Sequence, residues 1–172
     1  MPLNKGKAWE AKFRSDWSKS FPNGTIDRLY DPTNGYIAIS NVSDFIGYDY
    51  PLIFYTELKS HKGNTFPFTC LPQYEKLTAK VGIKGVRAGV VLWMIDHDLV
   101  LYVPISTITK MKNDGKKSIN IKDIDNYHII KIPGVKKRVF IECDYRCLKD
   151  LEEGCWCIKL NYIIKIKNYR LM

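Results

Sequence analysis

The chain has 172 residues, of which 45% are hydrophobic, 13% aromatic and 26% charged. That composition excludes a disordered, collagen-like or disulfide-packed chain, and the length suits one domain with a single core. Its 27 basic and 18 acidic side chains give a net charge of +9, unevenly spread: residues 1–106 carry 12 basic and 10 acidic side chains, residues 107–172 carry 15 and 8. A basic excess concentrated in one part of the chain favours a polyanionic partner such as nucleic acid, with general solubility as the plainer alternative. No apolar run reaches the roughly 18 residues of a membrane span, and the polar, basic start has no signal-peptide core. Five cysteines, an odd number, argue against a secreted disulfide framework. The expectation is a soluble cytoplasmic protein with no membrane contact.

In chain order, Asn4 is a suitable N-cap for a helix from Lys5 to Lys19. Trp9, Phe13 and Trp17 recur at the spacing of one buried helical face, and Pro22-Asn23-Gly24 ends the element. Gly35–Val42 reads as a strand, residues 47–51 as a turn, and Leu52–Lys59 as a second strand. A helix is expected from Pro72 to near Gly82. Ala88–Ile95 and Leu99–Val103 are apolar runs joined at Asp96-His97-Asp98, the pattern of a tight hairpin of buried strands. Pro104–Lys112 reads as a short helix stopped by Asn113-Asp114-Gly115, and Tyr145–Glu153 as another. From Trp156 to Ile166 the even positions are apolar, the alternation of a strand. This order predicts an α/β fold, a mixed β-sheet flanked by helices.

The chemistry concentrates in Asp44 and in Glu57-Leu58-Lys59. In a strand Glu57 and Lys59 point to one side, with Ile53 and Tyr55, while Phe54, Thr56 and Leu58 face the other. A hairpin turn can bring Asp44 back beside Glu57. Two carboxylates and an ammonium suit phosphodiester hydrolysis, because hard oxygen ligands hold Mg²⁺ and the cation neutralises charge on phosphate. The plainer reading is a surface Glu–Lys pair and an unrelated Asp. Glu10 lies three residues before Phe13 and seven before Trp17, within the apolar stripe, so its carboxylate needs a partner. A metal or its bound water is one such partner; the alternative is a rim position open to water or paired with Arg14.

Asn4-Lys5-Gly6-Lys7-Ala8-Trp9-Glu10 resembles the N-terminal helix motif of RecU-type Holliday junction resolvases. Asp44 followed by Glu57-Leu58-Lys59 is similar to that family's metal site. Phe66-Pro67 with Gln73, Lys117-Ser118-Ile119 and, more loosely, Asp144-Tyr145-Arg146-Cys147-Leu148 extend the likeness in order over residues 4–151. The resemblance implies a PD-(D/E)xK core in residues 1–152, with 153–172 as a basic, strand-like extension. It implies a homodimeric, Mg²⁺-dependent endonuclease, with Mn²⁺ able to substitute, that nicks four-way DNA junctions symmetrically in recombination and repair. Glu10, Asp44 and Glu57 would be metal ligands, Lys59 the catalytic cation, and Gln73 a support from its helix. DNA contacts would come from Lys5, Lys7, Arg28, Tyr36 and the basic loop Lys136-Lys137-Arg138. The family carries an extended stalk between its basic residue and the metal-site Asp; here Arg28 and Asp44 are 16 residues apart, which leaves room only for a short hairpin such as Leu29–Ser40 with Tyr36 near its tip.

Other readings stay weaker. Cys143, Cys147, Cys155 and Cys157 lack the paired CxxC spacing of zinc knuckles, so no zinc is expected. His61 follows the Glu57 strand and could approach a phosphate; His97 marks a hairpin tip and His128 precedes an apolar strand. A restriction-type or branched-DNA endonuclease of the same fold, or a DNA-binding module without catalysis, are the competing functions.

Overall fold

In the computed structural model, which describes residues 5–29 and 41–151, the aromatic spacing at the start of the chain becomes a helix, α1 (Lys5–Ser20). Trp9, Phe13 and Trp17 are all buried on its inner face, where Trp9 meets Trp93 of the sheet and Phe140, Phe13 meets Phe45 and Tyr145 edge-on, and Trp17 meets Phe54 edge-on. Burial of each such side chain contributes about 1.5–3 kcal/mol, and this face anchors the helix to the sheet.

The sheet has six strands: β1 (Thr25–Arg28), β2 (Phe45–Asp49), β3 (Leu52–His61), β5 (Val86–Met94), β6 (Leu99–Pro104) and β8 (Ile130–Lys131), in the order β1-β2-β3-β5-β6-β8. Only β3 and β5 pair in parallel; the other neighbours are antiparallel. The expected β5–β6 hairpin is present, turned by a 3-10 segment at Ile95–His97 with Asp98 left-handed. Period-2 alternation along β5 sends Val91 and Trp93 to one face and Ala88, Val90, Leu92 and Met94 to the other. The first face carries α1, the hairpin β9 (Gly134–Lys136)–β10 (Ile141–Cys143) and a 3-10 turn at Tyr145–Leu148. The second carries α2 (Tyr74–Thr78), α3 (Ile105–Asn113) and the pair β4 (Thr65–Pro67)–β7 (Ser118–Asn120). No helix among the described residues is long and apolar enough to cross a membrane.

Several expectations need correction. Gly47, Tyr48 and Asp49 are not turn residues but the second half of β2; the turn is Tyr50-Pro51. Gly47 reads as a turn signal, yet it is a packing residue: a Cβ there would lie 2.6 Å from Trp17 Cζ2. Of the strand expected at Gly35–Val42, residues 35–40 lie outside the described residues and Asn41-Val42 is not strand. The helix expected from Pro72 to Gly82 is only the five residues of α2, followed by tight turns from Leu77 to Val81 and a left-handed Gly82. The stretch expected to be helical to Glu153 stops as a 3-10 turn at Leu148. The strand expected from Trp156 lies outside the described residues, as do Asn4, Tyr36, Cys155 and Cys157.

Candidate active site

The β2–β3 register sets Phe45 opposite Thr56 and so carries Asp44, one residue before β2, to the level of Glu57. Each carboxylate is held by a backbone N–H of the other strand. The Asp44 N–H donates to Glu57 Oε2 at 3.1 Å, and the Leu58 N–H donates to Asp44 Oδ2 at 2.8 Å. Lys59, two residues on along the same face of β3, brings Nζ to 2.7 Å from Glu57 Oε1 and keeps about a quarter of its side chain exposed. The Asp44, Glu57 and Lys59 grouping expected from the sequence is therefore assembled.

The electrostatics of the pair are unusual. Glu57 is fully buried, and that burial, followed by the charge of Asp44, pushes its carboxyl up to about 7 against the pull of Lys59 and the Asp44 N–H. Burial also raises Asp44; the Leu58 N–H, Lys59 and Arg28 oppose the rise while Glu10 adds to it. Two carboxylates forced together in a dry strand end create a demand for positive charge that one lysine meets only in part.

Glu10 reaches from α1, on the face of the sheet that this helix covers, half-buried; it accepts from Arg28 Nε at 2.5 Å, not from Arg14, and its charge is felt at Asp44. Arg28 shares that face because it opposes Phe45 in the β1–β2 register, and Phe45 packs against Phe13 of α1. Among the described residues no three acidic, histidine or cysteine side chains stand as a ready metal-holding group. Asp44 and Glu57 supply donor chemistry for a hard divalent cation: close carboxylates, one fully buried and pushed toward its neutral form.

The remaining candidates spread more widely. Lys7, Glu10, Arg14, Arg28 and Phe45 line an open groove of about 580 Å³ between α1 and the β1–β2 edge. Arg14, considered from the sequence only as a partner for Glu10, belongs to this basic groove. Lys5 opens α1. Gln73 is the N-cap residue of α2, with its Oε1 buried and without a hydrogen-bond partner among the described residues. Of the basic loop, Lys136 lies in β9, on Asp98, and Lys137 pairs with Glu142 at 3.2 Å, both half-exposed. Glu142, bonded by Lys19 and Lys137, is held down to about 2. Arg138 is exposed on the β9–β10 connection. His61 packs edge-on against Phe66, and His97 bonds Asn64 Oδ1 at 2.6 Å, so each has a structural partner. Cys143 is buried with its thiol pushed up to about 11 by that burial, the state of a small core residue.

No family model and no curated protein matches this chain. Among solved structures, Hjc, a Holliday junction resolvase from the archaeal hyperthermophile Archaeoglobus fulgidus, aligns with a TM-score of 0.51 and 14% sequence identity, covering 67% of this chain and 88% of that one. The fold is shared. It is a mixed six-stranded sheet flanked by helices, and the likeness at this identity extends to the fold and does not single out the RecU type.

Proposed function

We propose that this protein is a Mg²⁺-dependent DNA endonuclease that resolves four-way junctions by paired nicks. The observation that carries the reading is the buried Asp44–Glu57 couple beside Lys59 at the end of β3. A fold shared with an archaeal Holliday junction resolvase supports the substrate class. A fully buried glutamate beside an aspartate destabilises any fold that has no use for it, so its retention fits a cation-binding task.

Asp44 and Glu57 would hold the metal, which when bound supplies Lewis-acid stabilisation of the scissile phosphate and a water of lowered pKa. The backbone N–H groups of Asp44 and Leu58 fix the two carboxylates in facing orientations before substrate arrives. Lys59 reaches from Glu57 toward solvent, where its ammonium neutralises charge that builds on the phosphate oxygens. The groove lined by Lys7, Arg14 and Arg28 offers positive charge to the DNA backbone on the α1 face. Cutting two opposed strands of a two-fold junction calls for two symmetric sites, hence a homodimer.

The test is incubation with Mg²⁺ and a labelled four-way junction, a linear duplex and a flap, with EDTA and Asp44→Asn as controls. Symmetric nicks in the junction, absent in both controls, are the expected result. Cleavage that survives EDTA or Asp44→Asn would overturn the site assignment. Cutting of plain duplex at a matching rate would overturn the junction reading.

A further inference from the structure

The two faces of the sheet are covered unevenly at β2 and β3. Phe45, Gly47 and Asp49 of β2, like Leu52, Phe54 and Thr56 of β3, are buried on the face that α1 covers. The alternate residues are more open: Ile46, Ile53 and Tyr55 are half-buried and Tyr48 is 43% exposed. The register sets Tyr48 opposite Ile53 and Ile46 opposite Tyr55, so these four side chains share the face of Asp44 and Glu57. On that face α2, α3 and the β4–β7 pair enclose the core built on β5 and β6, whose edge Tyr55 touches. Ile46, Tyr48 and Ile53 belong to neither core among the described residues. Open apolar surface of this kind, rimmed by polar groups, marks an interaction site.

The surface is continuous with the candidate active site. Successive rows stand two residues apart on β3, about 6.6 Å: Tyr48 with Ile53, then Ile46 with Tyr55, then Asp44 beside Glu57. A nucleic-acid strand that brings a phosphate to Glu57 and Lys59 and runs back along β3 lays its next nucleotides over these rows. Lys80 stands on one side of them, with Nζ 5.3 Å from the centroid of the Tyr55 ring. Asp27, exposed, stands on the other side, opposite Ile46 in the β1–β2 register. Phosphates are drawn to the first side and repelled from the second, which sends the backbone past Lys80 and turns the bases over the open face. Lys80 already occupies Tyr55, so Tyr48 is the ring left free: nothing among the described residues bonds its hydroxyl or stacks on it.

We propose that Tyr48 is a stacking platform for an unpaired base of branched DNA, on the open apolar face that leads to Asp44 and Glu57. The proposal rests on the nuclease reading for its substrate. A base inside a continuous duplex has neighbours on both sides of its ring, whereas a base at a branch point or in a single strand has a face that an aromatic side chain can cover. Stacking tolerates every base and uses no charge. It therefore adds a preference for unpaired over paired DNA to the sequence-independent pull of the α1 groove. A second copy of the chain seated on this face would bar a strand from the carboxylates, which favours nucleic acid as the occupant.

The test is binding of the full-length chain, in EDTA, to a labelled duplex with a short single-stranded tail, to the same duplex with an abasic tail, and to a blunt duplex. Tyr48→Ala is expected to weaken binding to the tailed duplex about tenfold, the scale of one lost base–aromatic contact, and to leave the abasic and blunt forms within about twofold of wild type. Tyr48→Phe keeps the ring and is expected to bind as wild type does. Neither variant removes a charge, so all three proteins should share one slope of log K against log salt. Wild type itself should prefer the tail with bases over the abasic tail by about tenfold, a measurement that needs no variant. Equal binding of the two tails, equal weakening of Tyr48→Ala on all three DNAs, or a loss shared by Tyr48→Phe would each overturn the platform. So would a dimer that Tyr48→Ala turns into a monomer on sedimentation, which would assign the face to a second copy. Binding in EDTA involves no cleavage, so these failures leave the nuclease reading standing. Absence of Mg²⁺-dependent cutting by wild type is the separate result that would remove that reading.

Discussion

Glu57→Gln is expected to stabilise the fold at neutral and alkaline pH while it abolishes cleavage. In the unfolded chain Glu57 releases its proton near its ordinary value of 4.5, whereas in the folded chain burial and Asp44 hold that release back to about 7. Between those values the native state binds more protons than the unfolded state, so its stability falls as pH rises. The cost is absent below pH 4.5 and fully present above pH 7. The interval of about 2.5 pH units, at about 1.36 kcal/mol each, makes it about 3 kcal/mol. The attraction of Lys59 and the hydrogen bond from the Asp44 N–H already act within that net value.

Glutamine keeps the shape and stays neutral, so the variant escapes the cost. Guanidinium unfolding of both proteins in EDTA, from about pH 4 to about pH 9, should show near-equal response at the acid end and a widening advantage for the variant above about pH 6. An advantage of about 3 kcal/mol corresponds to a rise in Tm of about 6–12 °C for a chain of this size. Added Mg²⁺ should narrow the gap by stabilising wild type and not the variant. A stability difference that does not change with pH would refute the account of Glu57 as a carboxylate charged against its surroundings.

Three other outcomes are expected. Gly47→Ala should cost about 1–3 kcal/mol in urea, because the added methyl would lie 2.6 Å from Trp17 Cζ2; an unshifted midpoint would mean that β2 gives way freely. Glu10→Ala should cost less than about 1 kcal/mol of stability, since its pair with Arg28 is partly exposed, yet it should raise the Mg²⁺ concentration needed for half-maximal cleavage. An unaltered Mg²⁺ requirement would confine Glu10 to the ion pair. Sedimentation at micromolar concentration should show a homodimer, and a monomer with intact junction cleavage would contradict the two-site reading.

The legible parts of the fold were those with local, periodic signals. Trp9, Phe13 and Trp17 announce α1, and the apolar runs around Asp96-His97-Asp98 announce β5 and β6. The β1–β2 hairpin was illegible because its residues answer to distant partners. Gly47 is small for the sake of Trp17, and Asp49, turn-like in sequence, is buried and paired with Lys149, 100 positions later. The same reasoning that singled out Glu10 applies with more force to Asp16, which is 1% exposed and accepts from the Cys143 N–H at 2.9 Å to pin β10 onto α1. Asp16, three residues after Phe13 and seven after Trp9, went unremarked in the sequence although its spacing matches that of Glu10, and only the tertiary structure shows which of the two is buried. Asp44 and Glu57 were found because two residue types in an extended strand suffice to define the chemistry. Their mutual backbone clamps depend on register, which no local pattern encodes.

Selectivity for branched DNA is expected to be weaker than in a resolvase with a long protruding stalk, and the reason is geometric. The Leu29 N–H donates to the Asp44 carbonyl at 2.8 Å, so the two ends of the segment between them are pinned side by side where β1 and β2 pair. Fourteen residues, 30–43, connect those ends. A segment that goes out and returns can use half of them each way, which at about 3.3 Å per residue limits its reach to about 23 Å. That length carries Asp31 as its only charged side chain before Asp44, and a single tyrosine pair, Tyr30 and Tyr36, so it has little with which to grip phosphates deep inside a junction. Discrimination then falls to the basic groove beside α1, doubled in a dimer, which any diverging pair of arms can meet. Competition binding with four-way, three-way and linear DNA at one fixed salt concentration should therefore place the two branched forms within about tenfold of one another, a gap of about 1.4 kcal/mol, and both above linear DNA. A preference of several orders of magnitude for the four-way form would show that the short connection, doubled in a dimer, fills the junction centre after all.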